Sequence, residues 1–315
     1  MLKRFLIAII SRLVYYTQRI FDSSRYIVGL CLIKLGCLDR FVLIRMDGGI
    51  CSQMHFYMIG TIFRNKGYLV KYELEWYKSD GMDMNGLFVR NFDLTKAFHN
   101  LDFHQASKFE LFFYKSFEFW NDYFGSTPYR YEEIPPPAYL TGYYRDPSGL
   151  YADLPNIFAM DYSVLNPDSL QVLDMIKSKG NSVAVHVRRG DLSVYNSAYG
   201  NPVDDNYFNK AIEYIESKVR HAFFFFFSDE PDWVRRKLIT RLKIQDNYFI
   251  VDVNGSDTGY MDLYLIASCK HHITSKGSLG KYGAFLAQSD TILLYDDESQ
   301  REVWEGQHPN IVFIK

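Results

Sequence analysis

Five consecutive phenylalanines stand in the segment HAFFFFFSDE, residues 221–230. A run this apolar has no polar face, so it suits a strand of a parallel sheet that helices cover on both sides. From residue 181 onward such strands alternate with helical patterns. The strands are predicted at 181–187, 221–230, 247–253, 272–275 and 290–296, and the helices at 168–180, 206–219, 231–242, 259–271 and 277–288. This alternation predicts a doubly wound parallel α/β sheet.

The first half of the chain contains a similar, less regular unit. Its predicted elements are a strand, a glycine turn, a helix and two further strands, at residues 40–46, 47–53, 54–67, 68–76 and 138–143. Strand, glycine loop and helix begin a Rossmann-like unit whose loop amides are free to bind an anion. Because 315 residues are too many for one ordinary core, we predict two Rossmann-like α/β domains, 40–165 and 166–315, that face a cleft.

Residues 1–39 are predicted to form a separate amphipathic helical segment. Wound as a helix, it places apolar side chains on one face, namely Leu2, Leu6, Ile9, Leu13, Tyr16 and Ile20. Charged residues interrupt it too often for a membrane span of about 20 apolar residues. An apolar stripe backed by arginines suits the headgroup region of an anionic membrane. Two alternatives remain open: packing on the protein's own core or a second subunit, and an anchor or signal segment.

Composition narrows the possible partners and the compartment. The formal net charge of −2 gives no reason to expect a nucleic acid or another bulk polyanion. The four cysteines form no CxxC pair and no zinc spacing. We therefore expect reduced cysteines in a cytosolic protein.

The ends of the predicted strands supply the candidate site, because open parallel sheets bind ligands at the carboxyl ends of their strands. The residues delivered there are His186, Arg188, Arg189 and Asp191 after the first strand of the second domain, Ser228 and Asp229 after the next, and Lys276, Gly277 and Ser278 before a helix. Guanidinium groups match phosphate oxygens bidentately, and helix amides attract anions. The pattern predicts a phosphate site; the alternative is a salt-bridge cluster that closes the strand.

Several motifs resemble those of a known family, and they occur along the chain in the order that the family shows. HVRRGD (186–191), GYYRDP (142–147), DNYFNKAIEYI (205–215), FSDE (227–230) and DLYLIASCKHHI (262–273) resemble the α-1,2-fucosyltransferases of glycosyltransferase family 11. The loop DGGICSQM (47–54) resembles the family's opening glycine loop. The resemblance implies a GT-B-type fold and an inverting transfer of L-fucose from GDP-β-L-fucose to a hydroxyl, O-2 of a terminal galactoside. Because no DxD string is present, we expect no metal and no other cofactor.

Residue roles follow from the same resemblance. Arg188 would contact the β-phosphate of GDP, and the residues supporting it would be His186, Arg189 and Asp191. Asp229, following Ser228, would accept from the guanine or ribose. Ser278 would bind phosphate beside Lys276 and Gly277, while Ser52 and Gln53 would face the fucose or the acceptor. Asp47 is the candidate general base, with capping of the turn or of the following helix as its alternative.

The segment SKGSLGKYGA, residues 275–284, departs from the family, which reads NSSFSWWGA there. Lys276 and Lys281 replace neutral residues and both tryptophans are absent. The donor sugar, linkage and acceptor therefore stay open. Two alternatives are a related transferase with another GDP-sugar or linkage, and a non-catalytic subunit that binds a nucleotide sugar or glycan. A third is a membrane-associated scaffold.

Partners and location complete the expectations. We expect GDP-fucose and a galactoside-terminated glycan, in lipid-linked form, as partners, and no nucleic acid. The basic N-terminal segment predicts a cytoplasmic protein held peripherally at the inner face of the membrane. Such a place suits the synthesis of a surface polysaccharide such as O-antigen.

Overall fold

A computed structural model of the chain describes its secondary structure in eight stretches. They are residues 2–79, 81–82, 86, 88–121, 134–142, 150–193, 200–255 and 257–315, without the side chains of residues 2–13 and 119–121. The described part divides into two compact units. Unit one comprises residues 1–47, 56–76 and 102–145, and unit two comprises residues 48–55, 77–101 and 146–315.

Unit one is built on a four-stranded parallel sheet. Its strands are β1 (Phe41–Arg45), β2 (Leu69–Glu73), β3 (Glu118–Asn121) and β4 (Ala138–Gly142). They lie in the order β2-β1-β4-β3, and every neighbouring pair is parallel. The first four residues of β1 are buried, as expected for a strand covered on both faces. Tyr114 stacks on Phe41 in this core at 3.9 Å between ring centroids.

Unit two is built on a six-stranded parallel sheet. Its strands are β5 (Ser182–Val187), β6 (Phe223–Ser228), β7 (Tyr248–Val251), β8 (His271–Thr274), β9 (Thr291–Tyr295) and β10 (Ile311–Ile314). The strand order is β10-β9-β8-β5-β6-β7. The chain thus runs from β5 outward in one direction and from β8 outward in the other. This is the strand order of a Rossmann sheet, and it reverses between β5 and β8.

Helices connect the strands of both units. They are α1 (Leu2–Lys34), α2 (Ile50–Asn65), α3 (Glu75–Ser79), α4 (Leu94–Ala97), α5 (Lys108–Tyr114), α6 (Leu154–Ile157), α7 (Pro167–Ser178), α8 (Asp205–Lys218), α9 (Pro231–Trp233), α10 (Gly259–Ala267), α11 (Leu279–Leu286) and α12 (Glu298–Trp304). Side chains cap the N-termini of several of these helices. Asp204 caps α8 by accepting from the Tyr207 amide at 3.0 Å, and Asn166 caps α7 in the same way. The apolar face of α8 then packs on the phenylalanines of β6.

The structure confirms the predicted α/β class and its parallel sheets. The boundaries differ in places. Helix α2 begins at Ile50, four residues before the predicted start, so the glycine turn is shorter than expected. The segment predicted as a helix at 231–242 changes to a π turn at Val234–Leu238 and ends in a 3-10 turn. Strands β3 and β10 and helix α12 were not predicted.

Other parts of the fold prediction stay predictions. These are the GT-B arrangement with its cleft and the domain boundaries at 40–165 and 166–315. By contacts, residues 48–55 and 77–101 group with the later part of the chain. Residues 143–147 of the GYYRDP motif lie outside the described residues.

The N-terminal segment forms one long helix, α1. Beyond residue 20 it packs within unit one, where Tyr26 lies 5.1 Å from Phe117 between ring centroids. Tyr16 and Ile20, on the predicted apolar face, are 62% and 67% exposed. Because the side chains of residues 2–13 are not described, the amphipathic character stays a prediction. Within the described residues, none of the helices combines the length and apolar character that crossing a membrane requires.

Candidate functional site

The predicted site residues of unit two gather at the carboxyl ends of β5, β6 and β8. This edge includes the point between β5 and β8 where the strand order reverses. In open parallel sheets, ligands bind outside the carboxyl ends of the strands at such a reversal. The fold therefore places the candidate residues where a ligand of such a sheet is expected to bind.

Arg188 follows β5 and is held by its backbone and its side chain. Its amide donates to the Ser275 hydroxyl at 2.8 Å, which ties it to the loop after β8. Its guanidinium donates to Asp191 and lies 3.2 Å from Asp229, measured from Nη1 to Oδ2. The side chain is 24% exposed, whereas that of Asp191 is 5% exposed. The carboxylates thus orient a guanidinium that still reaches the surface.

Arg189 has a different environment, although it is the next residue. Its amide donates to Asp229 at 3.0 Å, and its Nε donates to Glu230 at 3.1 Å. The guanidinium lies over the ring of Trp233, 3.6 Å from the centroid. A salt bridge and a cation–π contact together hold this side chain against the segment that follows β6.

His186, within β5, is buried and 5% exposed. Burial, with Arg188 and Lys281 nearby, lowers the pKa of His186 to about 3, so the imidazole is neutral at physiological pH. Its Nδ1 has no hydrogen-bond partner among the described residues. A Cβ at Gly280 would lie 2.7 Å from the His186 Cβ, so the glycine is needed for α11 to approach β5 this closely.

The loop between β8 and α11 contains Lys276, Gly277 and Ser278. Gly277 has a φ of +97°, and a Cβ there would lie 3.4 Å from the Cγ of Arg188. Lys276 pairs with Asp297 at 3.5 Å. Ser278 is the residue that precedes α11, and although burial raises the pKa of the Cys51 thiol to about 12, Ser278 acts to lower it. The first amides of α11 therefore begin directly beside the stem of Arg188.

The hydroxyl of Ser228, predicted to contact the ligand, already makes two internal hydrogen bonds. The Ser228 hydroxyl donates to the Val187 carbonyl at 2.8 Å and accepts from the Glu230 amide at 3.0 Å. It thereby links the ends of β5 and β6. A ligand contact from Ser228 stays a prediction, and so does the contact of Ser52, which lies half-buried in the first turn of α2.

Gln53 is completely buried and its amide group is saturated. Nε2 donates to the carbonyls of Gly48 and Asn91 at 3.1 and 2.8 Å. Oε1 accepts from the amides of Asp93 and Leu94, both at 2.9 Å. A side-chain amide has two donor hydrogens and two acceptor positions, so these four bonds use its full capacity. The structure gives Gln53 a role in joining α2 to the segment before α4, and its predicted contact with fucose or acceptor stays untested.

Asp47 is the one predicted site residue that belongs to unit one. It follows β1, is half-buried, and belongs to unit one, whereas the phosphate-site candidates belong to unit two. Its predicted role as general base stays a prediction.

Two charged residues that contact the site were not assigned to it from the sequence, although Lys281 was noted as a departure from the family. Lys281, in α11, is 1% exposed. Arg90 approaches Asp191 with 3.7 Å between Nη2 and Oδ2. A lysine inside the apolar run of α11 was a signal for the first, whereas the region around Arg90 has no periodic pattern from which to place it.

The arrangement suits an anion with several oxygens. A partly exposed guanidinium, the exposed Gly277 and the start of α11 lie together, and the carboxylates beside them orient the guanidinium. Charged donors of this kind bind phosphate groups. In the described part of the chain, no three His, Cys, Asp or Glu side chains gather as a metal site would need.

Comparison with known proteins identifies what the chain resembles. The model of glycosyl transferase family 11 matches residues 87–308, which is more than half of the chain. An alpha-1,2-colitosyltransferase of Escherichia coli is 27% identical over 128 residues, covering 40% of this chain and 43% of the relative. The O-antigen biosynthesis glycosyltransferase WbnK of Escherichia coli is 27% identical over 114 residues, or 36% of each chain.

A human relative and a solved structure also match. Human galactoside alpha-(1,2)-fucosyltransferase 1 is 29% identical over 114 residues, covering 36% of this chain and 30% of the relative. The aligned regions thus span less than half the length of these relatives. The fucosyltransferase NodZ from Bradyrhizobium is 13% identical, with 82% of this chain and 94% of NodZ covered, at a TM-score of 0.42. That TM-score is too low to support a conclusion about function.

Proposed function

Because the chain belongs to glycosyl transferase family 11, we propose that it transfers L-fucose from GDP-β-L-fucose to a hydroxyl of a glycan. The observation that carries this proposal is the place of Arg188. It stands where the strand order reverses, with its guanidinium oriented by Asp191 and Asp229 and still partly exposed. A diphosphate is the part of a nucleotide sugar that such a group recognises.

The proposed reaction is a single displacement that inverts the anomeric carbon. The acceptor hydroxyl gives its proton to a base, for which Asp47 is the candidate, and its oxygen bonds to the anomeric carbon. The bond from that carbon to the β-phosphate oxygen breaks at the same time, and GDP leaves with the electron pair. Negative charge grows on the diphosphate in the transition state, so fixed donors stabilise it more there than in the ground state. Arg188 and the amides after Gly277 supply those donors. His186 stays neutral and packs behind them.

Support for the acceptor comes from the relatives. One is named for the transfer of fucose to a galactoside and another for O-antigen biosynthesis. We propose O-2 of a terminal galactoside as the acceptor position, in a lipid-linked glycan for a surface polysaccharide. The exposed Tyr16 and Ile20 of α1 support a peripheral position at the inner, cytoplasmic membrane face.

A second donor is favoured by one specific observation. The E. coli relative with the alpha-1,2-colitosyltransferase name matches more of this chain than the human enzyme does. The departure at residues 275–284 lies beside the proposed phosphate site, where it can alter the choice of sugar. GDP-colitose is therefore the alternative donor, and a non-catalytic subunit that binds nucleotide sugars is the alternative without transfer.

The test is mass spectrometry of the products after incubation with a panel of terminal galactosides. GDP-fucose, GDP-colitose and UDP-galactose serve as donors, each with and without EDTA. We expect a fucosylated galactoside with GDP-fucose and undiminished transfer in EDTA. If only a colitosylated product forms, the donor is GDP-colitose and not GDP-fucose. Loss of transfer in EDTA with rescue by manganese would contradict the metal-independent mechanism, and binding of GDP without any product would favour the non-catalytic subunit.

A further inference from the structure

Lys281 is a buried lysine in a helix that is otherwise almost entirely apolar. It lies in α11, whose other residues include Leu279, Tyr282 and Phe285. The side chain is 1% exposed. An ammonium group loses its hydration at such a place, so the protein must supply compensating contacts. The contacts it receives point to a role at the phosphate site.

The ammonium of Lys281 binds the loop that precedes its own helix. Nζ donates to the Ser275 carbonyl at 2.9 Å and to the Gly277 carbonyl at 2.6 Å. It also lies 5.6 Å from the centroid of the Trp304 ring. These two hydrogen bonds to backbone carbonyls hold the backbone of residues 275–277 in place.

The residues that Lys281 fixes are those that contact Arg188. Ser275 accepts the Arg188 amide on its hydroxyl at 2.8 Å and donates its own amide to the His186 carbonyl at 3.1 Å. Gly277 lies against the stem of Arg188. One side chain thus connects, through a three-residue loop, to the backbone and the stem of the proposed phosphate-binding arginine.

We propose that Lys281 is the positioning residue for this site, holding the Ser275–Gly277 loop so that Arg188 and the first amides of α11 meet the diphosphate, and that its charge couples GDP binding to proton uptake. This inference rests on the proposed function and adds a residue to it. Lys281 acts through the loop and through its charge, without touching the substrate.

The electrostatic surroundings support the coupling. Burial lowers the pKa of Lys281 to about 7, against the opposing effects of Asp297 and Cys51. The charged or titratable groups around it are Asp297, which Lys276 pairs, together with Cys51, His186 and Arg188. The pKa of His186 is about 3 and that of Cys51 about 12. Near pH 8, Lys281 is therefore the titrating group in this set.

The sign of the effect follows from linkage. A bound diphosphate favours the charged ammonium and so raises the pKa of Lys281 above its value in the free protein. At pH 8 the free protein has largely lost this proton, and binding must restore part of it. GDP binding at pH 8 is thus expected to take up a fraction of a proton. The affinity contributed by Lys281 is present below pH 7 and declines as the pH rises.

The experiment is isothermal titration of GDP into the full chain at pH 8, in Tris and in HEPES. Because the two buffers differ in ionisation enthalpy, the difference in heat reports the protons taken up. Titrations at pH 6.5 measure affinity with Lys281 charged. The variants are Lys281→Met, which removes both donors and the charge, and Lys281→Gln, which keeps a neutral donor. Lys210→Met, on the exposed side of α8, is the control for loss of one positive charge.

We expect Lys281→Met to weaken GDP binding by about tenfold or more at pH 6.5 and to abolish proton uptake at pH 8. Lys281→Gln should bind more tightly than the Met variant but also without proton uptake, and it serves the test if the Met variant does not fold. Lys210→Met should behave as wild type. GDP affinity within twofold of wild type with unchanged proton uptake in both Lys281 variants would overturn the inference alone. Failure of the wild type to bind GDP would overturn the proposed function as well.

Discussion

The two sides of the β5 terminus treat adjacent arginines differently. The amide of Arg188 is tied to Ser275, which follows β8, while its guanidinium is oriented by Asp191 and by Asp229, which follows β6. On the side of β6, Arg189 is clamped between Glu230 and the Trp233 ring. The guanidinium of Arg188 is thus oriented beside the loop that contains Gly277. The guanidinium of Arg189 instead holds the strand end against the segment that follows β6.

The sequence left two interpretations open for Arg188 and Arg189, a phosphate site and a salt-bridge cluster, and this difference bears on both. A salt-bridge cluster that closes the strand describes Arg189 well, because its side chain makes contacts only of that kind in the described residues. The guanidinium of Arg188 also pairs with two carboxylates. We nevertheless propose the phosphate site at Arg188, because the strand order reverses there and a helix begins beside it. We therefore propose different functions for the two arginines, with phosphate binding assigned to Arg188 alone.

Arg188→Ala should produce the largest loss. One preorganised charged donor is worth about 3–4 kcal/mol in a transition state, so kcat/KM for transfer should fall by two or more orders of magnitude. Arg188→Lys keeps the charge but loses the fork, and we expect it to recover only part of the rate. The melting temperature of each variant shows that the fold is intact. Turnover like wild type in Arg188→Ala would mean that the phosphates bind elsewhere.

Arg189→Ala should have a smaller effect on transfer and a clearer one on stability. It removes the Trp233 contact and a partly exposed salt bridge, together worth about 1 kcal/mol. We expect a lower free energy of unfolding in urea and a loss of less than tenfold in kcat/KM. A loss of transfer larger than that of Arg188→Ala, with unchanged stability, would exchange the roles assigned to the two arginines.

The matched pair Ser275→Ala and Ser228→Ala should show the smallest effects and the cleanest contrast. Each removes one hydroxyl from a strand end beside β5. Ser275→Ala deprives the Arg188 amide of its acceptor, so transfer should fall several-fold. Ser228→Ala removes one bond between the ends of β5 and β6 and one from the Glu230 amide. It should lower the free energy of unfolding by about 1–2 kcal/mol, with transfer nearly unchanged. Equal effects on transfer would show that the two sides do not differ in function.

Much of the fold was accessible from local patterns. The phenylalanine run predicted β6 because a fully apolar strand needs cover on both faces, and the structure buries its central four residues. Strand β10 and helix α12 were missed because each is short, with four and seven residues. Short elements near a chain end have too few residues to establish a period.

The site was accessible only in part. The motif HVRRGD indicated which residues carry charge, and these do come to one edge of the sheet. The saturation of the Gln53 amide could not be predicted, because its partners at Asn91, Asp93 and Leu94 are distant in sequence. The same holds for Arg90 and Asp191, whose ion pair links distant positions.

By itself, the sequence determined the α/β class, the succession of parallel strands after residue 181 and the charged groups that follow them, since these depend on local apolar patterning and turn chemistry. Only the tertiary structure decided that β8 lies beside β5, and therefore that the Lys276–Ser278 loop meets Arg188. It also decided that Lys276 pairs with Asp297 while Lys281 is buried on backbone carbonyls. The physical reason is that strand neighbours and side-chain burial are set by contacts between distant segments, whose energies no local pattern contains.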